Sequence, residues 1–186
     1  MIQLGTRTLK TDRLTLRRYT VADAEAMYAN WASDDVVTEY LTWPTHPDSE
    51  VTRVVLETWV EQYAENGFYN WGIVYDGTVI GNIAVVNASE NDERAEIGYC
   101  IGRAWWGKGI MTEALGAVMD FLFGEVGLHR IFLRYDVANI GSGRVMEKNG
   151  LTREGTLRDE HKRKDGSFGD MAVYGILRHE WEARKA

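Results

Sequence analysis

The segment whose residue types most clearly indicate a chemical role consists of two glycines and a lysine. Gly107-Lys108-Gly109 follows a strand-like stretch, 95–101, and leads directly into a helix-forming stretch. Glycine lets a backbone approach a ligand closely, and the first N–H groups of a helix lie unsatisfied at the positive end of its dipole. The pattern therefore predicts an anion-binding loop that suits a pyrophosphate. The alternative is a glycine turn that binds nothing.

Two common nucleotide-binding motifs do not fit this loop. A P-loop requires a lysine followed by Ser or Thr, and Lys108 is followed by Gly109. A dinucleotide-binding fingerprint requires a third glycine where this sequence has Thr112. It also requires an acidic residue at the end of a strand about twenty residues later, which is missing here. Neither class of nucleotide-binding protein is indicated.

A second polar cluster, with Asn139 and Ser142, follows the strand-like stretch 130–136. Asn139 is a good helix N-cap and Gly150 a good helix terminator, so the simplest interpretation is a well-delimited helix. The alternative is that the polar side chains at its start bind a ligand.

Taken together, the two clusters resemble the GNAT superfamily of acyl-CoA-dependent N-acetyltransferases. The loop motif of that family, Gln/Arg-x-x-Gly-x-Gly/Ala, cradles the pyrophosphate of coenzyme A. It aligns with 106–111, with Gly109 in register and with Trp106 and Met111 as departures. Further segments in order resemble the Rim-type branch, which acetylates the N-terminal amines of ribosomal proteins. These are Thr11-Asp12-Arg13-Leu14-x-Leu16-Arg17, Asp23-Ala24, Glu96-Ile97-Gly98-Tyr99, His129-Arg130-Ile131, Asn139-x-x-Ser142, Glu147-Lys148-x-Gly150-Leu151 and Glu154-Gly155.

The resemblance implies acetyl-CoA as co-substrate and no metal. Backbone groups of Cys100 and Ile101 would bind the thioester carbonyl and the pantetheine arm, where their strand splays from its neighbour. The pyrophosphate would lie against main-chain donors of the loop, with Lys108 adding positive charge. The loop residues predicted to bind the cofactor are Trp106, Gly107, Lys108, Gly109, Ile110, Met111 and Thr112.

The departing thiolate of coenzyme A needs a proton or a hydrogen bond. Many members of the superfamily place a tyrosine seven residues after the asparagine, but this chain has Met146 there. Rim-type enzymes resemble this chain in placing a serine three residues after the asparagine. We therefore expect Ser142 to donate a hydrogen bond to the sulfur and Asn139 to hold the pantetheine.

Glu96 is the best-placed carboxylate for a catalytic base, acting through water. Strand alternation places Glu96 on one face with Gly98 and Cys100. The alternative is a surface or salt-bridged glutamate. An α-amino group is already roughly 10–15% neutral at pH 7, whereas a lysine side chain is only about 0.04% neutral, so N-terminal acetylation demands little from a base.

The acceptor amine is the least constrained part of the prediction. Family analogy places its groove near Tyr40 and Trp43 and near Arg158 on the last hairpin, although these aromatic residues could equally belong to the core. The leading hypothesis is a protein N-terminal α-amine. The alternatives are a small-molecule amine, such as an aminoglycoside, polyamine or amino-acid derivative, and a non-catalytic acyl-CoA-binding module.

Composition narrows the class of protein. The 186 residues, 45% hydrophobic with two prolines, predict one domain, 1–186. The net charge of −7 disfavours binding to a nucleic-acid backbone. The single cysteine, Cys100, excludes an internal disulfide, and the four histidines lack the spacing of metal ligands. With no secretory signal or long apolar span, we expect a cytoplasmic protein that is not bound to a membrane.

The hydrophobic patterns predict a mixed α/β fold, a sheet with helices on both faces. The family resemblance implies that this sheet is mostly antiparallel and strongly twisted, with a splayed strand pair. A helix starting at Ser49 is expected to bury Val51, Val54, Val55, Trp59 and Tyr63. Further predicted elements are a strand at 14–19, a helix after Thr20, a short helix at 34–41, strands at 71–75 and 79–86 around Asp76-Gly77, and a helix from Ile110 to Gly127.

The C-terminal part is expected to form a helix at 142–149, a strand from Thr152 and a final strand at 172–177. The run 161–164, His-Lys-Arg-Lys, is predicted to be a solvated hairpin tip. The alternative is a contact surface for an acidic or RNA-bearing partner. An exposed final strand could also pair between two copies in a homodimer.

Overall fold

The computed structural model describes residues 1–185. Ala186, the last residue of the predicted domain, lies outside the described residues. The chain divides into two compact units. The N-terminal unit comprises 3–84 and 99–117, and the C-terminal unit comprises 1–2, 85–98 and the described residues from 118 on. The expectation of one domain stays a prediction.

The described residues contain eight strands. Their bounds are β1 Leu9–Lys10, β2 Leu14–Arg17, β3 Asn70–Tyr75, β4 Thr78–Ser89, β5 Arg94–Ile101, β6 Arg130–Asp136, β7 Thr152–Lys162 and β8 Phe168–Leu177. They are hydrogen-bonded in the order β1-β2-β3-β4-β5-β6-β8-β7. The β5–β6 pair is parallel, whereas β1–β2, β2–β3, β3–β4, β6–β8 and β7–β8 are antiparallel. The predicted mixed α/β fold with a mostly antiparallel sheet is confirmed.

Six α-helices accompany the strands in the described chain. They are α1 Ala24–Met27, α2 Asp35–Thr38, α3 Ser49–Gln62, α4 Ile110–Phe121, α5 Ile140–Lys148 and α6 Arg178–Ala183. Shorter 3-10 and π turns occur at Val21–Asp23, Tyr28–Ala32, Arg103–Trp105 and Leu122–Val126. Across residues 1–185, every helix is too short or too polar to span a bilayer.

In the N-terminal unit, α3 packs its apolar stripe against a helical core that includes Trp31. The predicted stripe is right at Trp59 and Tyr63, which belong to or pack against this core, but wrong at its N-terminal end. Thr52 and Leu56 are fully buried, whereas the side chains of Val51 and Val54 are 38% and 51% exposed. The physical reason is a polar contact: the Thr52 hydroxyl lies 2.7 Å from Nδ1 of the buried His46. This contact allows a threonine on the buried face, and two valines then point outward.

In the C-terminal unit, the strand expected at 130–136 is present as β6, and its Ile131 and Leu133 are fully buried. Its parallel pairing with β5 covers only Arg94–Glu96 against 130–132, although both strands continue beyond these residues. This early end of the pairing is the splayed strand pair expected from the family resemblance.

The final strand is not at the edge of the sheet. β8 lies between β6 and β7, so β7 is the edge strand. β7 carries register shifts at 153/155 and 157/161, and charged side chains along its length. Bulges and charges are devices that discourage edge-to-edge pairing. The premise for pairing through the final strand was therefore wrong, and a homodimer stays a prediction.

Candidate functional site

The glycine loop adopts the conformation that its sequence requires. Gly107 and Gly109 have φ angles of 72° and 74°, in the left-handed region that side-chain-bearing residues rarely occupy. The backbone N–H of Glu113 donates to the Gly109 carbonyl at 3.1 Å, which closes the first turn of α4. The N-terminal end of a helix thus follows two glycines, an arrangement that favours an anion.

Side-chain burial limits how the loop residues could contact a ligand. The side chains of Ile110 and Met111 are 1% and 6% exposed, so these residues could reach a phosphate only through their backbone. Lys108 is exposed. The loop therefore combines main-chain donors with one accessible cation, which suits a pyrophosphate.

Trp106, which departs from the family motif, contributes to the shape of the loop. Its indole Nε1–H donates to the Ile101 carbonyl at 2.8 Å, across the 3-10 turn that follows β5. Its backbone N–H donates to the Arg103 carbonyl at 3.1 Å. The tryptophan closes the loop onto the end of the strand, and it stays 48% exposed.

Cys100 is poorly suited to act as a nucleophile. Burial raises the pKa of its thiol to about 12. Reactive cysteines in proteins have lowered, not raised, pKa values. The predicted role of Cys100 and Ile101 through their backbone groups is unaffected by this burial.

Tyr40 and Trp43 lie in the segment between α2 and α3. Both are half-buried, and Trp43 packs against the helical core and lies 5.2 Å from the ring of His46. The core role that the sequence left open is thus present for Trp43. Asp34 connects α2 with the 3-10 turn that precedes the glycine loop, because its carboxylate accepts from the Val36 N–H at 3.0 Å and from Arg103 Nε at 2.6 Å.

Asn139 and Ser142 occupy the first turn of α5 in the C-terminal unit. The Asn139 side-chain carbonyl accepts from the Ser142 backbone N–H at 3.3 Å, and the Asn139 backbone carbonyl accepts from the same N–H at 3.0 Å. Asn139 is therefore the N-cap that the simplest interpretation predicted. The cap uses the oxygen of its amide, and the amide nitrogen is the group that could donate to a ligand.

A buried ion pair supports this turn. The Asp136 side chain is fully buried, and Arg163 binds both its oxygens, Nε to Oδ2 at 2.7 Å and Nη2 to Oδ1 at 2.8 Å. The Arg163 guanidinium holds the pKa of Asp136 below its usual range, against the opposing effect of burial. A Cβ on Gly169 would lie 2.2 Å from Oδ2 of Asp136, so this position requires glycine.

The predicted solvated hairpin tip is wrong for Arg163. This residue comes from the segment between β7 and β8 and returns to its own chain at Asp136. Asp136 in turn accepts from the Ala138 N–H at 2.9 Å, two residues later in the turn that leads to Asn139. The sequence offered only a weak signal for this pairing, a single acidic residue ending a buried strand.

Glu96 lines a cavity of about 360 Å³ on the sheet of the C-terminal unit. It is 7% exposed and pairs with Arg134, whose Nε donates to Oε1 at 2.8 Å. The salt-bridged alternative considered for Glu96 is therefore present. Arg158 is exposed on β7 and is not among the described residues that line this cavity. The lining residues are Asn87, Arg94, Glu96, Arg130, Phe132, Arg134, Leu157 and Val173.

Comparison with known proteins supports one family. A family model described as the acetyltransferase (GNAT) domain matches residues 13–152. YoaA of Bacillus subtilis, an uncharacterised N-acetyltransferase, is 34% identical over 172 residues, which cover 91% of this chain and 96% of the relative. The ribosomal protein uS5-alanine N-acetyltransferase of Escherichia coli is 26% identical over 185 residues, which cover 93% and 92%.

A solved structure agrees on the fold. RimL, the ribosomal L7/L12 α-N-protein acetyltransferase in complex with coenzyme A, superposes with a TM-score of 0.83. The match has 20% identity and covers 92% of this chain and 98% of RimL. The predictions of N-acetyltransferase activity and of acetyl-CoA as co-substrate are confirmed at the level of the family.

Proposed function

The chain belongs to the GNAT family of acetyltransferases, and from that premise we propose that it acetylates the α-amino group of a protein N-terminus, such as that of a ribosomal protein. The similarity to the uS5-alanine N-acetyltransferase and to RimL, an α-N-protein acetyltransferase, supports this acceptor class. We also propose a cytoplasmic location, where ribosomal proteins are made.

One observation supports an α-amine, rather than the amine of a lysine side chain, as the acceptor. Both oxygens of Glu96 lie within hydrogen-bond distance of the Arg134 guanidinium, at 2.8 and 3.3 Å. Both carboxylate oxygens are thus engaged by a guanidinium rather than by an acceptor amine. An α-amine needs little help, since roughly 10–15% of it is neutral at pH 7, against about 0.04% of a lysine side chain.

In the proposed reaction the neutral amine attacks the thioester carbonyl, which is polarised by backbone groups of Cys100 and Ile101. The C–S bond then breaks, and the hydroxyl of Ser142 donates a hydrogen bond to the departing thiolate, which takes its proton from solvent. The amine nitrogen releases its proton to water ordered by Glu96. Asn139 holds the pantetheine, and the loop at 106–112 holds the pyrophosphate.

We propose that the cavity beside Glu96 receives the acceptor. Its lining combines three arginines with the apolar side chains of Phe132, Leu157 and Val173. Such a surface suits a short peptide, with its backbone carbonyls on the arginines and an apolar side chain on the sheet.

The test is an assay of thiol release with matched acceptors. We expect N-terminal peptides of ribosomal proteins to react, the same peptides with a blocked N-terminus to be inert, and spermidine, kanamycin and free amino acids to react at least about tenfold more slowly in kcat/KM. Arg94→Glu, at an exposed lining position, should raise the KM of the peptide and leave that of acetyl-CoA unchanged. Preference for a small amine would overturn the proposal.

A further inference from the structure

The Thr11-Asp12-Arg13 segment resembles the N-terminal part of the Rim-type enzymes, but it has no role in the proposed reaction. In the structure this segment binds the carboxylate of Glu113, a residue of the first turn of α4 in the same unit. The Thr11 hydroxyl donates to Oε1 of Glu113 at 2.5 Å, and the Arg13 backbone N–H donates to the same oxygen at 3.1 Å. Arg13 Nε donates to Oε2 at 2.7 Å. One carboxylate thus accepts three hydrogen bonds from a segment about one hundred residues earlier.

Arg13 also holds the glycine loop directly. Its Nη1 donates to the carbonyl of Lys108 at 3.1 Å, between the two left-handed glycines. A Cβ placed on Gly109 would lie 3.7 Å from Nη2 of Arg13. A single guanidinium therefore joins the segment before β2, the loop and the first turn of α4.

The negative charge of Glu113 must be compensated by Arg13 if an anion is to bind at this end of the helix. A carboxylate in the first turn of a helix stabilises the helix, but it repels an anion bound at the same end. Burial acts to raise the pKa of Glu113, but the hydrogen bonds from Thr11 and Arg13 lower it overall, so the group stays ionised. Without Arg13, a negative charge would lie beside the proposed phosphate site.

We propose that Arg13 and Thr11 are positioning residues of the acetyl-CoA site: they neutralise Glu113 and fix the Lys108 carbonyl, so that the loop presents its N–H groups to the pyrophosphate. This inference rests on the proposed assignment of the loop at 106–112 to the pyrophosphate. It does not depend on which amine is the acceptor.

The test compares two acyl donors, acetyl-CoA and acetyl-pantetheine, which lacks the phosphates. Arg13→Met should raise the Kd of acetyl-CoA by about tenfold in calorimetry and leave the kcat/KM of acetyl-pantetheine unchanged. Arg13→Lys, which keeps the charge but not the bridge, should lose about threefold. The double variant Arg13→Met/Glu113→Gln should recover most of the affinity, because the uncompensated carboxylate is then gone.

Arg17→Met is the matched control. Arg17 is the last residue of β2, four positions after Arg13, and binds both oxygens of Asp23 at 2.8 Å instead of contacting Glu113. We expect its Kd for acetyl-CoA to stay within about twofold of wild type. Equal losses with both donors, or no recovery in the double variant, would overturn the inference. If Gly109→Ala leaves the Kd unchanged, the loop assignment fails instead; if no peptide is acetylated, only the acceptor proposal fails.

Discussion

Two strand-to-helix connections carry the residues assigned to acetyl-CoA, one in each unit, and both are held by an arginine from a distant part of the chain. The glycine loop is held by Arg13 on Glu113, whose side chains are 41% and 21% exposed. The turn before α5 is held by Arg163 on Asp136, whose side chain is fully buried. Ion pairs near the surface contribute little to stability, whereas breaking a buried pair is costly. The first pair should therefore affect ligand binding more than folding, and the second should do the reverse.

The largest effect is expected from Arg163→Met, because it leaves the Asp136 carboxylate buried without its cation. We expect the free energy of unfolding to fall by about 3 kcal/mol in urea titrations at pH 7. Arg130→Met is the matched control: its partner Glu154 is 36% exposed, and the loss should stay below about 1 kcal/mol. Equal losses in the two variants would contradict the comparison.

The stability difference between wild type and Arg163→Met should also depend on pH. The pKa of Asp136 is lowered in the folded protein by Arg163. A group of this kind stabilises the fold above its unfolded pKa, near 3.9, and loses that contribution as the pH falls through its lower folded value. The difference between the two proteins should therefore be largest near neutral pH and shrink as the pH falls towards and below 4.

Ser142→Ala is expected to give the next largest effect, on turnover alone. A hydrogen bond to a charged group contributes about 1.5–3 kcal/mol, so kcat should fall by roughly 10- to 100-fold. The Kd of acetyl-CoA should stay within about twofold. The cap of α5 depends on the backbone N–H of Ser142 and should survive the change. Unchanged turnover would remove Ser142 from the mechanism.

The two connections also differ in how far their sequences predicted them. Gly107 and Gly109 encode a backbone conformation locally, and Asn139 encodes a helix cap, so both could be inferred from neighbouring residues. The partners Arg13 and Arg163 could not, because a pairing across many residues leaves no periodic signal. The same limit applies to the face of α3, where Thr52 replaces the expected valines because His46 is its partner. The polar α6 was missed, since it has no continuous apolar stripe.

A smaller effect is expected from Gly109→Ala, through its φ of 74°. A side chain in the left-handed region costs about 1–2 kcal/mol, and relaxation of the loop should raise the Kd of acetyl-CoA by about tenfold. Gly77→Ala provides the control, because Gly77 has a φ of 76° in the turn between β3 and β4, with open space around an added Cβ. It carries the same backbone strain, and its Kd should equal that of wild type. A matching rise in Kd for both variants would show that general destabilisation, and not the loop, sets the affinity.

The smallest effect is expected from Cys100→Ala. This variant tests whether the N-terminal unit, which contains Cys100 and the glycine loop, takes part in the chemical step or only binds acetyl-CoA. Burial raises the pKa of this thiol to about 12, so almost none of the protein carries a thiolate at pH 7. We therefore expect turnover within about twofold of wild type, no acetylated enzyme by mass spectrometry after mixing with acetyl-CoA alone, and slow alkylation by iodoacetamide in the wild-type protein. An acetyl group trapped on Cys100 would transfer the chemistry to the N-terminal unit. Its absence, together with the expected loss in Ser142→Ala, would assign the binding of phosphate to one connection and the stabilisation of the thiolate to the other.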